Sequence, residues 1–377
     1  MTTIQQFQDQ VWQRIQTLAT APAPPELISP AESARFVDVL RYVFDLRHGQ
    51  NAARVSATYL GYALAAPSAD VTPALVGLAA AIEIANTTIT YIEDKVIDDD
   101  RANQRGKAWT HVRFGLGVTI VVNSFVHFLS RRAFLDAIRL WAVEAGPDLA
   151  SIEWLTDQFD NIVRDANYGQ FLDVMYGSQL LRTDLDTPVT SLEDPCEYVL
   201  SDHINELRTG QFVQRSAEFG AILGGADRRS GRHETLRTAM RLVGICVQDL
   251  NDLQDFVPAP EFPGSVGKDL LLLKKTYPIV WLTANAVEFR EAKALFSSIQ
   301  DPTTDRDALL NQAVGMLIAH GVFDEMIRRI ASRLQRAEAL LASSFSGGTA
   351  SASDYFAAIN RRAASVAAQI HRQYKAA

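Results

Sequence analysis

Apolar residues recur at helical spacing along almost the whole chain, and this periodicity constrains the fold more strongly than any other feature. In RFVDVLRYVFDL, for example, Phe36, Leu40 and Val43 lie three or four residues apart, which places them on one face of a helix. The same pattern recurs to the C-terminus, whereas the strict alternation typical of strands is scarce. The sequence therefore predicts an all-α fold.

Short clusters of Pro, Gly and Ser interrupt the helical pattern, and none of them is long enough to require a second domain. We expect a single all-α domain over residues 1–377. It would open with a helix and a Pro-rich lead-in over residues 1–30. A flexible Ser/Gly-rich linker over residues 343–354 would precede a C-terminal helix.

Charge and cysteine content exclude several classes of protein. The 377 residues include 36 Lys and Arg against 44 Asp and Glu, and the net charge of −8 gives the chain no general attraction to nucleic acid or to an anionic membrane. No apolar run reaches the ~20 residues that a membrane span requires. Cys196 and Cys246 cannot form a disulfide framework, which agrees with a reducing compartment. We therefore expect a cytoplasmic protein without a membrane span.

Two acidic clusters carry the chemical signal. In EDKVIDDD, which starts at Glu93, Asp94 and Asp98 would share a helix face, with Glu93 and Asp99 at its edges. In QDLNDLQD, polar side chains recur at three- and four-residue spacing and are expected on one helical stripe: Gln248, Asn251, Asp252 and Asp255. Convergent carboxylate oxygens bind hard divalent cations. Either cluster alone could equally be a solvated helix face.

Basic residues follow both acidic clusters and favour metal binding over a solvated face. Arg105, Lys107 and His111 follow the first cluster, and Lys268 and Lys274 follow the second. Carboxylates with nearby cations suit a diphosphate that metal ions bridge to the protein. The two motifs together therefore predict a metal-dependent diphosphate site.

These blocks resemble the two aspartate-rich motifs and flanks of the all-trans isoprenyl diphosphate synthases, the polyprenyl synthetase family. The resemblance spans roughly residues 40–285. EDKVIDDDRANQRGKAWTH resembles the longer bacterial form of the first motif, GICVQDLNDLQDF resembles the second, and DLLLLKKTYP resembles the segment after it. A Gly-Gln-x-x-Asp block at Gly169 and an Arg-Thr-Gly block at Arg208 lie between them in the family's order.

The resemblance implies an isoprenoid-synthase-type helical bundle around a central apolar cavity, a homodimer, and Mg²⁺ as the cofactor, expected as three ions with Mn²⁺ as a substitute. The implied metal ligands are Glu93, Asp94, Asp98, Asp99, Asn251, Asp252 and Asp255, and the spacing of the first motif admits two registers. The implied catalytic residues are Asp94, Asp98, Asp252 and Gln248. The implied substrate-binding residues are Arg105, Arg208, Lys268, Lys274, His111, Gln170, Gln50, Asn51 and Asn86.

The departures from the family pattern concern the acceptor. Members that add isopentenyl diphosphate hold its diphosphate through a Gly-Lys-Arg segment, a His before the first acidic motif and an Arg-Arg-Gly block. Here Gln50, Asn51, Asn86 and Gln104 occupy the corresponding positions, and neutral amides bind a diphosphate poorly. We therefore expect an enzyme that ionises an allylic prenyl diphosphate of ten to twenty carbons. The carbocation would pass to an unknown acceptor other than isopentenyl diphosphate or would cyclise, as in terpene synthases.

Two other outcomes stay open. Arg47, Arg54, Arg105 and His111 could rebuild a divergent isopentenyl diphosphate site, so that ordinary chain elongation survives. Alternatively, the ammonium of Lys95 could occupy metal space within the first motif. The protein would then be a non-catalytic regulatory subunit of an active prenyl synthase.

Overall fold

The computed structural model of the protein describes residues 2–20, 29–47, 52–89, 103–104, 107–177, 196–257, 266–272, 274–284, 305–345 and 349–374. Within these ranges the chain is helical apart from short turns and one antiparallel hairpin, formed by β1 (Asn103–Gln104) and β2 (Lys107–Ala108). The prediction of an all-α fold is therefore confirmed.

The helices of the N-terminal half are α1 (Ile4–Ala19), α2 (Pro30–Arg47), α3 (Ala53–Ala65), α4 (Pro73–Asn86), α5 (Thr110–Phe114), α6 (Leu116–Ala145) and α7 (Leu149–Gly177). Those of the C-terminal half are α8 (Cys196–Asn205), α9 (Gln211–Leu223), α10 (Gly231–Gln254), α11 (Lys268–Leu271), α12 (Tyr277–Ala284), α13 (Arg306–Ala319), α14 (Val322–Ser344) and α15 (Thr349–Tyr374). A π-helical turn, Glu206–Gly210, joins α8 to α9.

Local sequence accounts for where several helices begin and end. The Thr3 hydroxyl accepts a hydrogen bond from the backbone N–H of Gln6, and the Thr3 backbone N–H donates to the Gln6 side chain, which forms a capping box at the start of α1. Thr72 caps α4 by accepting one hydrogen bond from the backbone N–H of Leu75, and Pro73 occupies the first turn, where a missing N–H costs nothing. Gly146 ends α6 in the left-handed conformation that glycine adopts most easily.

The chain divides into two compact units. Unit 1 comprises Met1–Arg164, Phe212–Met240 and Leu341–Ser351, and unit 2 comprises Asp165–Gln211, Arg241–Leu340 and Ala352–Ala377. The two units are compact parts of one chain, and the single domain over residues 1–377 stays a prediction.

The core of unit 1 forms where α4 packs along α6 and also contacts α1 and α3. The middle of α4 is fully buried, because its residues are Ala, Leu and Ile on almost every side. The rings of Phe134 and Phe159 stack with their centroids 4.3 Å apart. Helix α3 approaches α9 so closely that any side chain at Gly61 would overlap the carbonyl oxygen of Ala217.

The part of α10 from Arg241 onward belongs to unit 2. A Cβ atom at Gly244 would lie 2.7 Å from Gly210 Cα, so α10 packs directly against the π-helical turn. Leu172, Ile204 and Leu207 form a small apolar cluster beside that turn. The last turns of α10 also lie next to the end of α8, where Asn205 Nδ2 is within hydrogen-bond distance of Asp249 and Asp252.

Two further expectations and one cysteine can be placed on the structure. Among the described residues, none of the helices has the length and apolar composition of a membrane span. The thiol of Cys246 is buried, and burial raises its pKa, which makes it unreactive. Of the linker expected over residues 343–354, α14 reaches Ser344 and α15 begins at Thr349, so most of that segment is helical.

Candidate active site

The second acidic motif forms the last turns of α10 and the residues directly after it. Gln248 and Asp252 are buried, Asp255 is half-buried, and Asn251 is exposed. Adjacent residues of a helix point about 100° apart, so Asn251 and Asp252 do not share an environment although both lie on the polar stripe expected from spacing. Of the three expected ligands of this motif, Asp252 is therefore the buried one.

The Asp252 carboxylate is held on both sides. Gln248 Nε2 donates to Asp252 Oδ1 at 3.0 Å, and Thr209 Oγ1 donates to Gln248 Oε1 at 2.7 Å. Asn205 Nδ2 lies 3.4 Å from Asp252 Oδ2. Two helices and the π-helical turn thus fix the orientation of one buried side chain.

Negative charge is concentrated around this motif. Burial raises the pKa of the Asp252 carboxyl well above its ordinary value, and the carboxylates of Asp269 and Asp249 raise it further. Burial also raises the pKa of Asp249, although the charge of Arg333 opposes this effect. A cation bound beside Asp252 would favour its ionised form.

The donor set agrees with Mg²⁺ but is incomplete in the described part of the chain. Carboxylate and amide oxygens, as supplied by Asp252, Asp255 and Asn251, are the ligands that Mg²⁺ prefers. Among the described residues, no group of three or more His, Cys, Asp or Glu side chains is arranged to hold a metal ion. The second motif needs further ligands to complete such a site.

Basic side chains from two other sequence blocks lie in the same unit. Arg208 Nη1 pairs with Asp173 Oδ2 at 2.7 Å, and Lys274 Nζ lies 3.5 Å from the same oxygen. Lys274 also lies 3.7 Å from Asp269, whose backbone N–H donates to Asp255 Oδ2 at 3.0 Å. Four blocks that are far apart in sequence thus converge in unit 2.

The position of Arg208 depends on the π-helical turn. Such turns are rare and occur frequently at functional sites, because the extra residue re-aims the side chains that it carries. Here the turn presents Arg208 toward Asp173 and buries Thr209 against Gln248. Gln170 and Lys268 are half-buried in the same unit.

The remaining predicted site residues belong to unit 1 or lie outside the described ranges. Asn86 is fully buried and donates Nδ2 to Glu83 Oε1 at 3.3 Å, and His111 is half-buried on α5. The residues outside the described ranges are Gln50, Asn51, Glu93, Asp94, Asp98, Asp99 and Arg105.

Sequence reasoning missed a group of residues that the structure brings to Asp252. Arg333 Nη1 donates to Asp249 Oδ2 at 2.6 Å, and Asn205 Nδ2 lies 3.3 Å from Asp249 Oδ1. The one signal in the sequence is that Asp249 precedes Asp252 by three residues and so must lie near it on the helix. Nothing in the pattern indicates a partner as distant as Arg333.

Curated relatives match about half of the chain. Geranylgeranyl pyrophosphate synthase 10, mitochondrial, of Arabidopsis thaliana is 25% identical over 216 residues, which cover 56% of this chain and 57% of that protein. Geranylfarnesyl diphosphate synthase, chloroplastic, of Leucosceptrum canum is 30% identical over 204 residues, covering 53% and 50%. The chain thus spans little more than half the length of these relatives.

Solved structures match almost the whole chain. A crystal structure of geranylgeranyl pyrophosphate synthase aligns with a TM-score of 0.75 at 19% identity, covering 96% of this chain and 99% of the other. A geranylgeranyl pyrophosphate synthase from Corynebacterium glutamicum, complexed with isoprenyl diphosphate and magnesium, aligns with a TM-score of 0.72 at 18% identity, covering 96% and 98%. The predicted isoprenoid-synthase-type fold is confirmed.

The family follows from the sequence match. Residues 34–317, about three quarters of the chain, match the sequence model of the polyprenyl synthetases. The matched segment contains both acidic motifs and every block on which the resemblance depends. The chain therefore belongs to the polyprenyl synthetase family.

Proposed function

We propose that the protein is a Mg²⁺-dependent prenyltransferase that ionises an allylic prenyl diphosphate of ten to twenty carbons and adds isopentenyl diphosphate to it. The observation that carries this proposal is that Arg208 and Lys274 both pair with Asp173 in unit 2, where the charge of Arg208 also opposes the rise that burial causes in the pKa of the Asp252 carboxyl. Ordinary elongation takes first place because the relatives are named as geranylgeranyl and geranylfarnesyl diphosphate synthases.

The acidic motifs would hold the metal. In the second motif Asn251, Asp252 and Asp255 would be ligands, and in the first motif the ligands would be Glu93, Asp94, Asp98 and Asp99. Mg²⁺ bound there would neutralise charge on the diphosphate and so make it a better leaving group. Three ions, and replacement by Mn²⁺, belong to the proposal.

The basic side chains would bind the diphosphate. Arg208 offers a planar guanidinium, and its pairing with Asp173 keeps the side chain oriented before substrate arrives. Lys274 is buried and held between two carboxylates, so its ammonium is already positioned. Further contacts would come from Gln248, near the developing cation, and from Arg105, Lys268, His111 and Gln170.

A second candidate function rests on the residues at the positions where the family pattern binds isopentenyl diphosphate. Asn86 takes the place where the family pattern has a His, and its side chain is buried and donates to Glu83. A buried amide that is already hydrogen-bonded adds no charge to a diphosphate site. The alternative is therefore an enzyme that delivers the carbocation to another acceptor or cyclises it, with Gln50, Asn51 and Asn86 in a reshaped pocket.

One experiment separates these functions. Purified protein with Mg²⁺ is incubated with geranyl, farnesyl or geranylgeranyl diphosphate, with and without isopentenyl diphosphate, and both diphosphate release and products are followed by mass spectrometry. Longer diphosphates formed only with isopentenyl diphosphate would support elongation. Release without isopentenyl diphosphate would favour the alternative. Absence of turnover and of Mg²⁺-dependent binding of a non-hydrolysable allylic analogue would contradict both and leave a regulatory subunit.

We also propose that the protein is a homodimer. Helix α6 exposes several large apolar side chains: Leu116, Val118, Ile120, Val121 and Phe128. Light scattering after size exclusion should give twice the chain mass, and Phe128→Asp should shift the protein toward monomer. A monomeric wild type would contradict the proposal.

The cytoplasmic location is likewise a proposal. Relatives carry mitochondrial and chloroplastic labels in their names. Cell fractionation of the full-length protein tests it directly, and recovery in an organelle would contradict it.

A further inference from the structure

A path of hydrogen bonds in unit 2 leads from Arg333, on α14, to Asp252, on α10. Arg333 Nη1 donates to Asp249 Oδ2 at 2.6 Å. Asn205 Nδ2 lies 3.3 Å from Asp249 Oδ1 and 3.4 Å from Asp252 Oδ2. An Asn amide carries two N–H donors, so one group can serve both carboxylates. Asp252 is thereby connected to a guanidinium through two intervening side chains.

Asp249 depends on Arg333 for its charge balance. Its side chain is 4% exposed, and both of its oxygens accept hydrogen bonds from protein side chains. Removing the cation from a buried ion pair leaves an uncompensated charge, which costs far more than an exposed pair is worth. Without Arg333, Asp249 would draw more strongly on the Asn205 amide and weaken its contact with Asp252.

The shape of the guanidinium matters as well as its charge. While Nη1 donates to Asp249, Nη2 lies 3.0 Å from each oxygen of Asp202, which is three residues before Asn205 on α8. Arg333 therefore ties the helix that carries Asn205 to the helix that carries Asp252. A lysine ammonium lacks the planar fork that makes both contacts at once.

Arg329 provides an internal comparison. It lies one turn before Arg333 on the same helix and donates to the same Asp202, at 3.1 and 3.3 Å. Its guanidinium also lies over the ring of Tyr277, 4.3 Å from the centroid. Its charge opposes the rise that burial causes in the pKa of Asp249, as that of Arg333 does, but within the described residues its hydrogen bonds do not include one to Asp249. Its effect on the orientation of Asp252 should therefore be small.

We propose that Arg333 is a positioning residue for the second acidic motif: through Asp249 and Asn205 it holds the Asp252 carboxylate in the orientation that binds metal. This inference rests on the proposed function, in which Asp252 is a metal ligand. Arg333 lies beyond residue 317, where the family match ends, so a segment outside that match would support the metal site.

The test is to titrate the purified full-length protein with Mn²⁺ alone, followed by electron paramagnetic resonance, and to measure kcat and KM for diphosphate release. Arg333→Met should weaken Mn²⁺ binding by about tenfold and lower kcat similarly, as changes in residues that orient metal ligands commonly do. Arg329→Met, the matched control, should stay within about twofold of wild type. The double variant Asp249→Asn with Arg333→Met should be no worse than Arg333→Met alone, because both changes act on one path.

Several outcomes would overturn the inference. If folded Arg333→Met bound Mn²⁺ as wild type does, while wild type released diphosphate, the inference would fail and the proposed function would stand. An equal loss in Arg329→Met would show a general effect of charge on α14. A wild type that neither bound Mn²⁺ nor released diphosphate would remove both proposals. If Arg333→Met does not fold, the same measurements are made on Arg333→Lys, for which a smaller loss of Mn²⁺ affinity and kcat is expected.

Discussion

The two compact units treat buried polar side chains differently. In unit 1 they form small groups: Asn86 bonds to Glu83 on the same helix, and Glu218 bonds to Gln214 on its own helix and to His233 on the next. In unit 2 they form a network around Asp252 that joins several helices, in which Lys274 and Arg333 each contact two carboxylates. The difference teaches that the described part of unit 2 has a larger charged network beside the second acidic motif, whereas position 86 in unit 1, where the family pattern has a His, is an uncharged amide.

The largest effect should come from Asp252. Asp252→Asn preserves the shape of the side chain but removes the charge that would bind Mg²⁺, so diphosphate release should fall by about a hundredfold or more. Steady-state release of diphosphate at saturating Mg²⁺ measures this. Asp160→Asn, which changes an exposed carboxylate of unit 1, is the matched control and should be close to wild type. Equal losses in both variants would remove the contrast between the units.

The second test concerns the acceptor side. Asn86→His places an imidazole where the family pattern has one, and Glu83 would favour its protonated form. If a charged group at this position contacts isopentenyl diphosphate, KM for that substrate should fall by about tenfold, the effect of one charge-assisted hydrogen bond. Thermal unfolding of the variant controls for damage to the core. A well-folded variant with unchanged KM would show that position 86 does not contact this substrate.

The smallest expected effect is on stability in the absence of metal. A carboxyl whose pKa is higher in the folded than in the unfolded protein binds more protons when folded, so folding becomes less favourable as pH rises from near 4 through the raised pKa. The raised pKa values of Asp252 and Asp249 therefore predict that Tm in EDTA falls by about 2 °C or more from pH 5 to pH 7.

Mg²⁺ and a single substitution provide the controls for this pH dependence. Mg²⁺ should raise Tm more at pH 7 than at pH 5, because it binds the ionised carboxylates. Asp252→Asn should reduce the change of Tm with pH in EDTA. A Tm that rises steadily with pH in metal-free protein would contradict the assigned burial of these carboxyls.

The sequence predicted the parts of this structure that depend on local pattern. Helical periodicity indicated the all-α fold, and the order of the sequence motifs along the chain indicated the family. It also placed Gln248 and Asp252 one turn apart, and their side chains are hydrogen-bonded. These predictions succeeded because spacing along a helix determines which residues are neighbours.

The sequence could not predict what depends on contact between distant helices. Arg333 and Asp249 are 84 residues apart, and charged residues on α14 resemble any solvated helix face until the packing is known. The exposure of Asn251 beside the buried Asp252 likewise depends on which side of α10 faces the core of unit 2.

The π-helical turn at Glu206–Gly210 makes the length of this segment as important as its composition. Each residue added to or removed from a helix rotates everything beyond it by about 100° relative to what precedes it. Deleting one residue here would restore regular helix and turn Arg208 and Thr209 away from Asp173 and Gln248. A single-residue deletion in this turn should therefore be more damaging than most substitutions within it, and the segment is poorly suited to exchange by recombination with relatives of different spacing.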